Sequence, residues 1–229
     1  EVEGGFYFRN PNTRSGVFSN DGGATLLIAD LNTANALTPP VVTITNNVPD
    51  PVALAIVRAS SEFFSFQEIF PGGFTPRFGG TVDDYSVVGG LRGKLANGLS
   101  WDFSASTGHD KVHFFINNTV NASLGPNTPT NFDPGAYTQD ESNLNLDLSM
   151  PVGDAFTLSG GVEYRKETFE ITVGQIESFQ IGPLAAQGFS SASNGFPGFS
   201  DIAAGEWSRK NVAAYLDGEW KLSSVWTAG

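Results

Sequence analysis

Cysteine is absent from this chain of 229 residues, and charged residues are scarce. Without cysteine, disulfides, thiolate catalysis and cysteine-ligated zinc are excluded. Charged residues make up 16% of the chain, below the roughly 25% of an ordinary soluble domain. Positive charge is the scarcer sign, with 12 Lys and Arg against 24 Asp and Glu. Because no basic cluster is available to neutralise phosphates, we expect no nucleic-acid partner.

Long apolar runs and catalytic motifs are also missing. No segment approaches the roughly 20 apolar residues of a membrane-spanning helix, and we expect none of these residues to form a signal peptide. The sequence has no G-x-S-x-G, P-loop or G-x-G-x-x-G motif, so we expect neither an enzyme nor a bound cofactor. The chain starts at Glu1 without Met and stops at "SSVWTAG", just as a strand begins. We therefore expect a longer protein that continues beyond both ends.

Glycine (27 residues) and phenylalanine (19 residues) are plentiful, and apolar residues alternate with polar ones in three stretches. This period of two predicts antiparallel strands with one apolar and one polar face. The first pair of strands flanks Asn97-Gly98, which favours a tight turn because both residues tolerate positive φ. The second pair turns at Pro151–Asp154 and the third at Ser223–Ser224.

The connections between these strands alternate in length. Short turns of two to four residues alternate with long polar segments at 10–82, 117–142 and 174–208. Such long segments are uncommon in compact soluble domains but are usual in transmembrane β-barrels, which have short turns on one side and long loops on the other. The pattern favours an all-β fold, part of a transmembrane barrel. A soluble β-sandwich remains the alternative because it shows the same alternation.

Aromatic residues lie beside the short turns, where a membrane-interface girdle is expected. They are Trp101, Phe103, Phe156, Trp220 and Trp226.

Two smaller elements are predicted in the first part of the chain. Val2, Phe6 and Phe8 indicate a strand that reaches Arg9. Asp50 is a suitable helix N-cap and Pro51 a suitable first helical residue, so a short helix is predicted from residue 51.

His109 and His113 have the H-x-x-x-H spacing that binds zinc when it lies on a helix. The surrounding residues alternate or are β-branched and aromatic, which predicts a strand. On a strand the two residues lie about 13 Å apart, four steps of about 3.3 Å, which is too far for both to bind one zinc ion. We therefore expect no metal site. Apolar residues change from odd to even positions after Ala105, which indicates either a β-bulge near Gly108 or a strand that has left the bilayer.

The alternation assigns residues to the two faces of the predicted barrel. The predicted lipid-facing residues are Tyr85, Leu91, Leu95, Leu144, Leu148, Leu158, Val162, Val212 and Leu216. The predicted lumen-facing residues are Arg92, Asp102, Glu163, Arg165, Tyr215 and Glu219.

Six segments, in the expected order, resemble the barrel of TonB-dependent outer-membrane receptors. The first three are "YFRNPNTRSGVFS" (7–19), "EIFPGGFTPRFGG" (68–80) and "GLSWDFSASTG" (98–108). The other three are "FFINNTVNASLGP" (114–126), "GGVEYRKETFEI" (160–171) and "WSRKNVAAYLDGEW" (207–220). Together they cover most of the chain.

The resemblance implies a Gram-negative outer-membrane protein with a barrel of about 22 strands around an N-terminal plug. It also implies energised import of a scarce ligand, with TonB contacting the plug. The chain departs from the family in having no plug, no TonB-contacting box and no aromatic C-terminal strand end. Residues 1–229 are then a partial barrel of about six strands, too few to close, and form an open curved sheet with outer-membrane lipid as a partner.

Ligand contacts are expected in the long loops, because loops carry specificity. Aromatic faces stack on sugar rings or planar chelates, and arginine offers a rigid fork for carboxylates. We therefore predict that Tyr7, Arg9, Phe74 and Arg77 contact a small-molecule ligand; the alternative is that the aromatic residues only pack the loop. Two other functions remain open, a passive porin-like barrel and a soluble β-rich carbohydrate-binding domain.

Overall fold

The computed structural model describes residues 1–5, 10–35 and 37–229. The predicted strand from Val2 is described only over β1, Val2–Gly5, and its predicted continuation to Arg9 lies outside the described residues. Four two-residue strands follow: β2 (Ala29–Asp30), β3 (Ile44–Thr45), β4 (Val48–Pro49) and, after the helix α1 (Pro51–Ala59), β5 (Phe63–Phe64). The long strands are β6 (Arg77–Lys94), β7 (Ser100–Asn117), β8 (Asn131–Val152), β9 (Phe156–Thr172) and β10 (Gly205–Lys221), and the chain ends with β11 (Thr227–Ala228).

Seven strands form one open sheet in the order β1-β6-β7-β8-β9-β10-β11. From β6 onwards each strand lies beside its neighbour in sequence, which is an up-and-down arrangement, and the pairs β1–β6 and β10–β11 are antiparallel. The predicted all-β, antiparallel architecture is confirmed. The sheet has seven strands rather than about six, because β1 pairs with β6 in addition to the three predicted pairs.

Three strands begin earlier than the sequence indicated. The predicted loops 10–82, 117–142 and 174–208 are shortened because β6 starts at Arg77, β8 at Asn131 and β10 at Gly205. Pro134 and Gly135 caused the largest error, since both residues normally interrupt a strand. The predicted loop positions 131–142 are therefore strand residues.

The predicted helix is confirmed, and its first turn shows why it begins where it does. Asp50 Oδ1 accepts hydrogen bonds from the backbone amides of Val52 and Ala53, each at 2.9 Å. Pro51 occupies the first turn, where its missing N–H has no cost. No helix in the described part of the chain is long and apolar enough to cross a membrane.

Of the two explanations for the change of face in β7, the β-bulge near Gly108 is wrong, and a strand that has left the bilayer stays a prediction. The contacts between β6 and β7 keep one register on both sides of that glycine: Gly93 faces Trp101, Gly90 faces Ser104, and Tyr85 stacks on His109. Each step back along β6 is matched by an equal step forward along β7.

The apolar side chains of β7 change face because other residues cover them further along the strand. Phe114 packs against Phe78, Phe196 and Phe199 at ring-centroid distances of 5.4, 5.6 and 6.0 Å. Ile116 is fully buried. An aromatic cluster, and not an extra residue in the strand, therefore accounts for the switch.

The chain divides into two compact units. Unit 1 comprises residues 1–81, 113–136 and 171–204, and unit 2 comprises residues 82–112, 137–170 and 205–229. Unit 1 contains two apolar cores. The larger is built around Phe18, Phe66 and Phe189, and the smaller packs α1 through Leu54 and Val57 against Val42.

Unit 1 also contains a buried polar network that fixes its loops. The side-chain amide of Asn121, which is fully buried, donates to the carbonyls of Glu177 and Gln180, both at 2.9 Å. Ser123 Oγ donates to Asn121 Oδ1 at 2.7 Å. Because every buried polar group needs a partner, these bonds hold two long connections in one arrangement.

Candidate functional site

One face of unit 2 carries a continuous set of polar contacts. We call it the polar face; it consists of the even-numbered residues of β6 and β7 and the odd-numbered residues of β8, β9 and β10. On this face Arg165 Nη2 pairs with Glu163 at 3.1 Å. Arg165 Nε also donates to Asn143 Oδ1 at 3.2 Å, and Asn143 Nδ2 donates to Glu141 at 2.6 Å. Glu163 and Arg165, predicted on one face, thus lie together and link β8 to β9.

A second ion pair on this face joins β9 to β10. Arg209 donates through Nε to Glu167 Oε2 and through Nη2 to Oε1, the latter at 3.1 Å. Asn211 Nδ2 lies 3.5 Å from Glu167 Oε2. The fork-to-carboxylate geometry fixes the orientation of both side chains, and the pair has no net charge.

A third contact on the polar face spans three strands. The hydroxyl of Tyr215 on β10 donates to Asp147 Oδ1 on β8 at 2.7 Å, and its ring passes over Gly161 of β9. A Cβ at residue 161 would lie 2.5 Å from both Asp147 Oδ1 and Tyr215 Cε1. Only glycine leaves room for this arrangement, in which an aromatic ring covers a strand glycine.

The remaining predicted lumen-facing residues fall into two groups. Arg92, Asp102 and Tyr215 line one cleft of about 500 Å³, together with Asp147. Glu219 is exposed near the end of β10 and does not line that cleft.

Of the four predicted ligand contacts, the structure describes Phe74 and Arg77. Tyr7 and Arg9 lie outside the described residues. Phe74 is only 6% exposed and packs against Phe70 and Phe18 at 5.0 and 5.8 Å. The packing alternative therefore describes Phe74, because a side chain in the core does not meet a ligand from solvent. Arg77 is exposed and pairs with Glu3 at 3.3 Å.

Both histidines lie on β7, as predicted, and each has its own carboxylate partner. His109 Nδ1 lies 2.7 Å from Asp140 Oδ1, and the imidazole stacks on Tyr85 at 4.9 Å. His113 Nε2 lies 3.0 and 3.1 Å from the two oxygens of Asp133.

A row of three aromatic rings on the polar face was missed by the sequence analysis. Tyr137, Phe169 and Trp207 lie on β8, β9 and β10, with centroids 5.4 Å apart for the first pair and 6.4 Å for the second. A cleft of about 290 Å³ is lined by Phe169, Trp207, Glu167 and Arg209. Residues 137 and 207 were assigned to loops, although the alternation of Tyr137 with Gln139, Glu141 and Asn143 was a usable signal.

No family model, characterised protein or solved structure matches the chain. The resemblance to TonB-dependent receptors therefore rests on the six sequence segments.

Proposed function

We propose that the chain forms part of the barrel of a Gram-negative outer-membrane receptor, which imports a scarce small molecule with energy supplied through TonB and a plug domain. One observation carries the proposal: all the buried apolar side chains of the described residues belong to unit 1 and none to unit 2. Unit 2 nevertheless contains many large apolar residues. An uncovered apolar surface of this extent is typical of a surface that contacts a membrane or another protein, and lipid contact supports the proposal.

The distribution of polar contacts supports the same proposal. The polar face carries the ion pairs and hydrogen bonds of Arg165, Glu167 and Tyr215. On the opposite, apolar face, neighbouring strands place Leu144 and Val162 around one shallow apolar depression and Leu148 and Leu158 around another. Lipid outside and water inside a barrel produce this contrast between the faces of one sheet.

Strand length and the loops are also consistent with a receptor. The five long strands have 17 to 22 residues, compared with about 9–11 residues needed to cross a bilayer. The connection 173–204 packs on buried Ser178, Leu184 and Phe189, so it has a defined surface. Structured loops with a defined surface suit ligand capture.

The test uses the absence of cysteine from the chain. Single Val162→Cys and Glu163→Cys variants, in the protein as the cell makes it, each add one thiol to this cysteine-free segment, on adjacent residues of opposite faces, and the unmodified protein gives the background labelling. We expect the thiol at residue 162 to react with a lipid-soluble maleimide and the thiol at residue 163 with a water-soluble one, in native outer membranes. Equal labelling of both sites by both reagents contradicts the proposal.

Two further outcomes identify the alternative functions. Ligand uptake that continues after a protonophore removes the proton gradient indicates a passive porin. Recovery of the protein in the aqueous fraction without detergent indicates a soluble β-rich domain.

A further inference from the structure

The row formed by Tyr137, Phe169 and Trp207 has the features of a ligand platform. Phe169 and Trp207 are near-parallel, with 27° between their planes, and Trp207 is 52% exposed. Both rings border the cleft that also contains the Glu167–Arg209 ion pair. Exposed aromatic faces thus lie directly beside oriented hydrogen-bonding groups.

The position of the Trp207 indole depends on a glycine beside it in the chain and on its stacking against Phe169. A Cβ at residue 205 would lie 3.1 Å from Cη2 and Cζ2 of the indole. The indole therefore lies close over Gly205, where any larger residue would push it away. A side chain held in one position loses less conformational entropy when a ligand binds.

We propose that this row, with Glu167 and Arg209, binds a neutral carbohydrate. The inference rests on the proposed function, since it names the class of ligand that such a receptor imports. A sugar ring has an apolar C–H face that stacks on an aromatic ring and a rim of hydroxyl groups that both donate and accept hydrogen bonds. Glu167 supplies acceptors and Arg209 supplies donors at the edge of the rings, as specificity in ligand pockets requires.

Charge favours a neutral sugar over an anionic ligand such as a ferric chelate or an acidic sugar. Arg209, the cation that lines the cleft, donates from Nε and Nη2 to the two oxygens of Glu167. The Glu167 carboxylate already balances the charge of Arg209, so an anion gains little net attraction there. The chain also carries a net charge of −12, which repels anions at a distance.

The experiment measures sugar binding by the detergent-solubilised protein with isothermal titration calorimetry. The probes are hexasaccharides of glucose, mannose, xylose and N-acetylglucosamine, with hexagalacturonate as the acidic probe. We expect at least one neutral hexasaccharide to bind and hexagalacturonate to bind about tenfold more weakly or not at all. Trp207→Ala is expected to weaken binding of the neutral sugar by about tenfold or more, and Trp207→Phe, which keeps an aromatic face, by less.

Trp220→Ala is the matched control. Trp220 lies on the same strand, is 56% exposed and points to the opposite face, so its loss should leave sugar affinity unchanged. Glu167→Gln keeps the shape of the side chain but frees Arg209, and should raise the affinity for hexagalacturonate relative to the neutral sugar.

Two results overturn the inference: no binding of any neutral hexasaccharide, or equal affinity in the wild-type and Trp207→Ala proteins. The thiol-labelling result is independent of both. Correct labelling of the two faces without sugar binding removes only the carbohydrate site. Sugar binding by a protein that partitions into water keeps the site and removes the outer-membrane proposal.

Discussion

Unit 1 holds Phe18, Phe66 and Val57 at 1% exposure or less, whereas unit 2 leaves Leu91 and Leu216 exposed by 71% and 79%. The same residue types therefore occupy opposite environments in one chain. In unit 1, burial removes apolar surface from water and stabilises the fold by about 25 cal/mol per Å². In unit 2 the sheet leaves its apolar surface uncovered, so its stability depends on what surrounds it.

This difference shows that hydrophobic content alone does not identify a core. Leucine and valine at every second position predict an apolar face of a strand. Whether that face is buried depends on what packs against it. In unit 1, truncating a buried side chain is expected to lower the free energy of unfolding strongly, and changing an exposed one only slightly. In unit 2, placing a charge on the exposed apolar face is expected to lower the free energy of unfolding strongly.

The largest expected effect is the loss of a core ring in unit 1. Phe66→Ala removes a fully buried side chain that packs on Phe64 and Phe189 at 5.0 and 6.0 Å. We expect a destabilisation of about 3–5 kcal/mol, from lost burial and a residual cavity. Hydrogen exchange of the unit 1 amides measures it. Leu37→Ala, at an exposed position of the same unit, is the control and should lower the free energy of unfolding far less. Equal losses for the two variants would show that burial of Phe66 does not stabilise unit 1.

Charge on the apolar face of unit 2 is the next test. Leu91→Arg is expected to cost about 2–4 kcal/mol if the residue faces the bilayer midplane, and Ser104→Arg, on the polar face, far less. Reversible unfolding of the whole protein in liposomes measures both. Equal costs for the two variants refute the assignment of faces.

A smaller effect is expected from filling the space under Tyr215. Gly161→Ala forces the Tyr215 ring or Asp147 to move, because the new Cβ would lie 2.5 Å from each. We expect a loss of about 1 kcal/mol, the value of one hydrogen bond, measured as a shift in the unfolding free energy. At Gly89 an added Cβ meets no atom within 4 Å. Gly89→Ala should therefore cause no loss, since alanine lowers the entropy of the unfolded chain. A matching loss there would show that crowding against Tyr215 and Asp147 is not the cause.

The smallest effect concerns a turn of unit 1. Asp21 accepts hydrogen bonds from Ser19 Oγ and Thr25 Oγ1, each at 2.7 Å, and from the amides of Ala24 and Thr25. These bonds, with that of Ser19 the strongest, hold the pKa of Asp21 well below its usual value of 3.8. A lowered pKa stabilises the folded state above the ordinary value and loses that effect as the pH falls through the folded value.

Asp21→Asn should therefore destabilise unit 1 slightly at neutral pH, and the difference from wild type should shrink below pH 3.8. Thermal melting as a function of pH measures this difference. Asp154→Asn removes the same charge from a turn of unit 2 and is the control. A difference for Asp21→Asn that persists unchanged in acid would show that the carboxylate charge has no part in the turn.

The sequence was sufficient where the determinants are local. The cap of α1 depends on Asp50 and Pro51 alone, and the alternation around Leu91 or Leu148 requires only neighbouring residues. Unit 1 could not be predicted in this way. Its contacts join residues far apart in the chain, such as Phe66 with Phe189 and Arg14 with Asn194, and no periodic pattern of residues predicts such contacts.

The candidate site was predicted in part for a related reason. Glu163, Arg165 and Tyr215 were found because they lie in regular alternation. Tyr137 and Trp207 were missed because Pro134 and the glycine-rich segment before Trp207 are typical of loops. Tertiary pairing overrides those local signals.

The hydrogen bonds between the first and last segments of unit 1 also determine when the first segment can fold during synthesis. Arg14 bonds to Asn194, the carbonyl of Gly16 accepts from the amide of Ser190, and Asn20 donates to the carbonyl of Gly188. These bonds cannot form until the ribosome has added residues 188, 190 and 194, long after the β6–β7 hairpin is complete. Contacts so distant in sequence slow folding, and these three partners of Arg14, Gly16 and Asn20 remain missing through most of synthesis. We expect the early segment to need protection from aggregation during that interval.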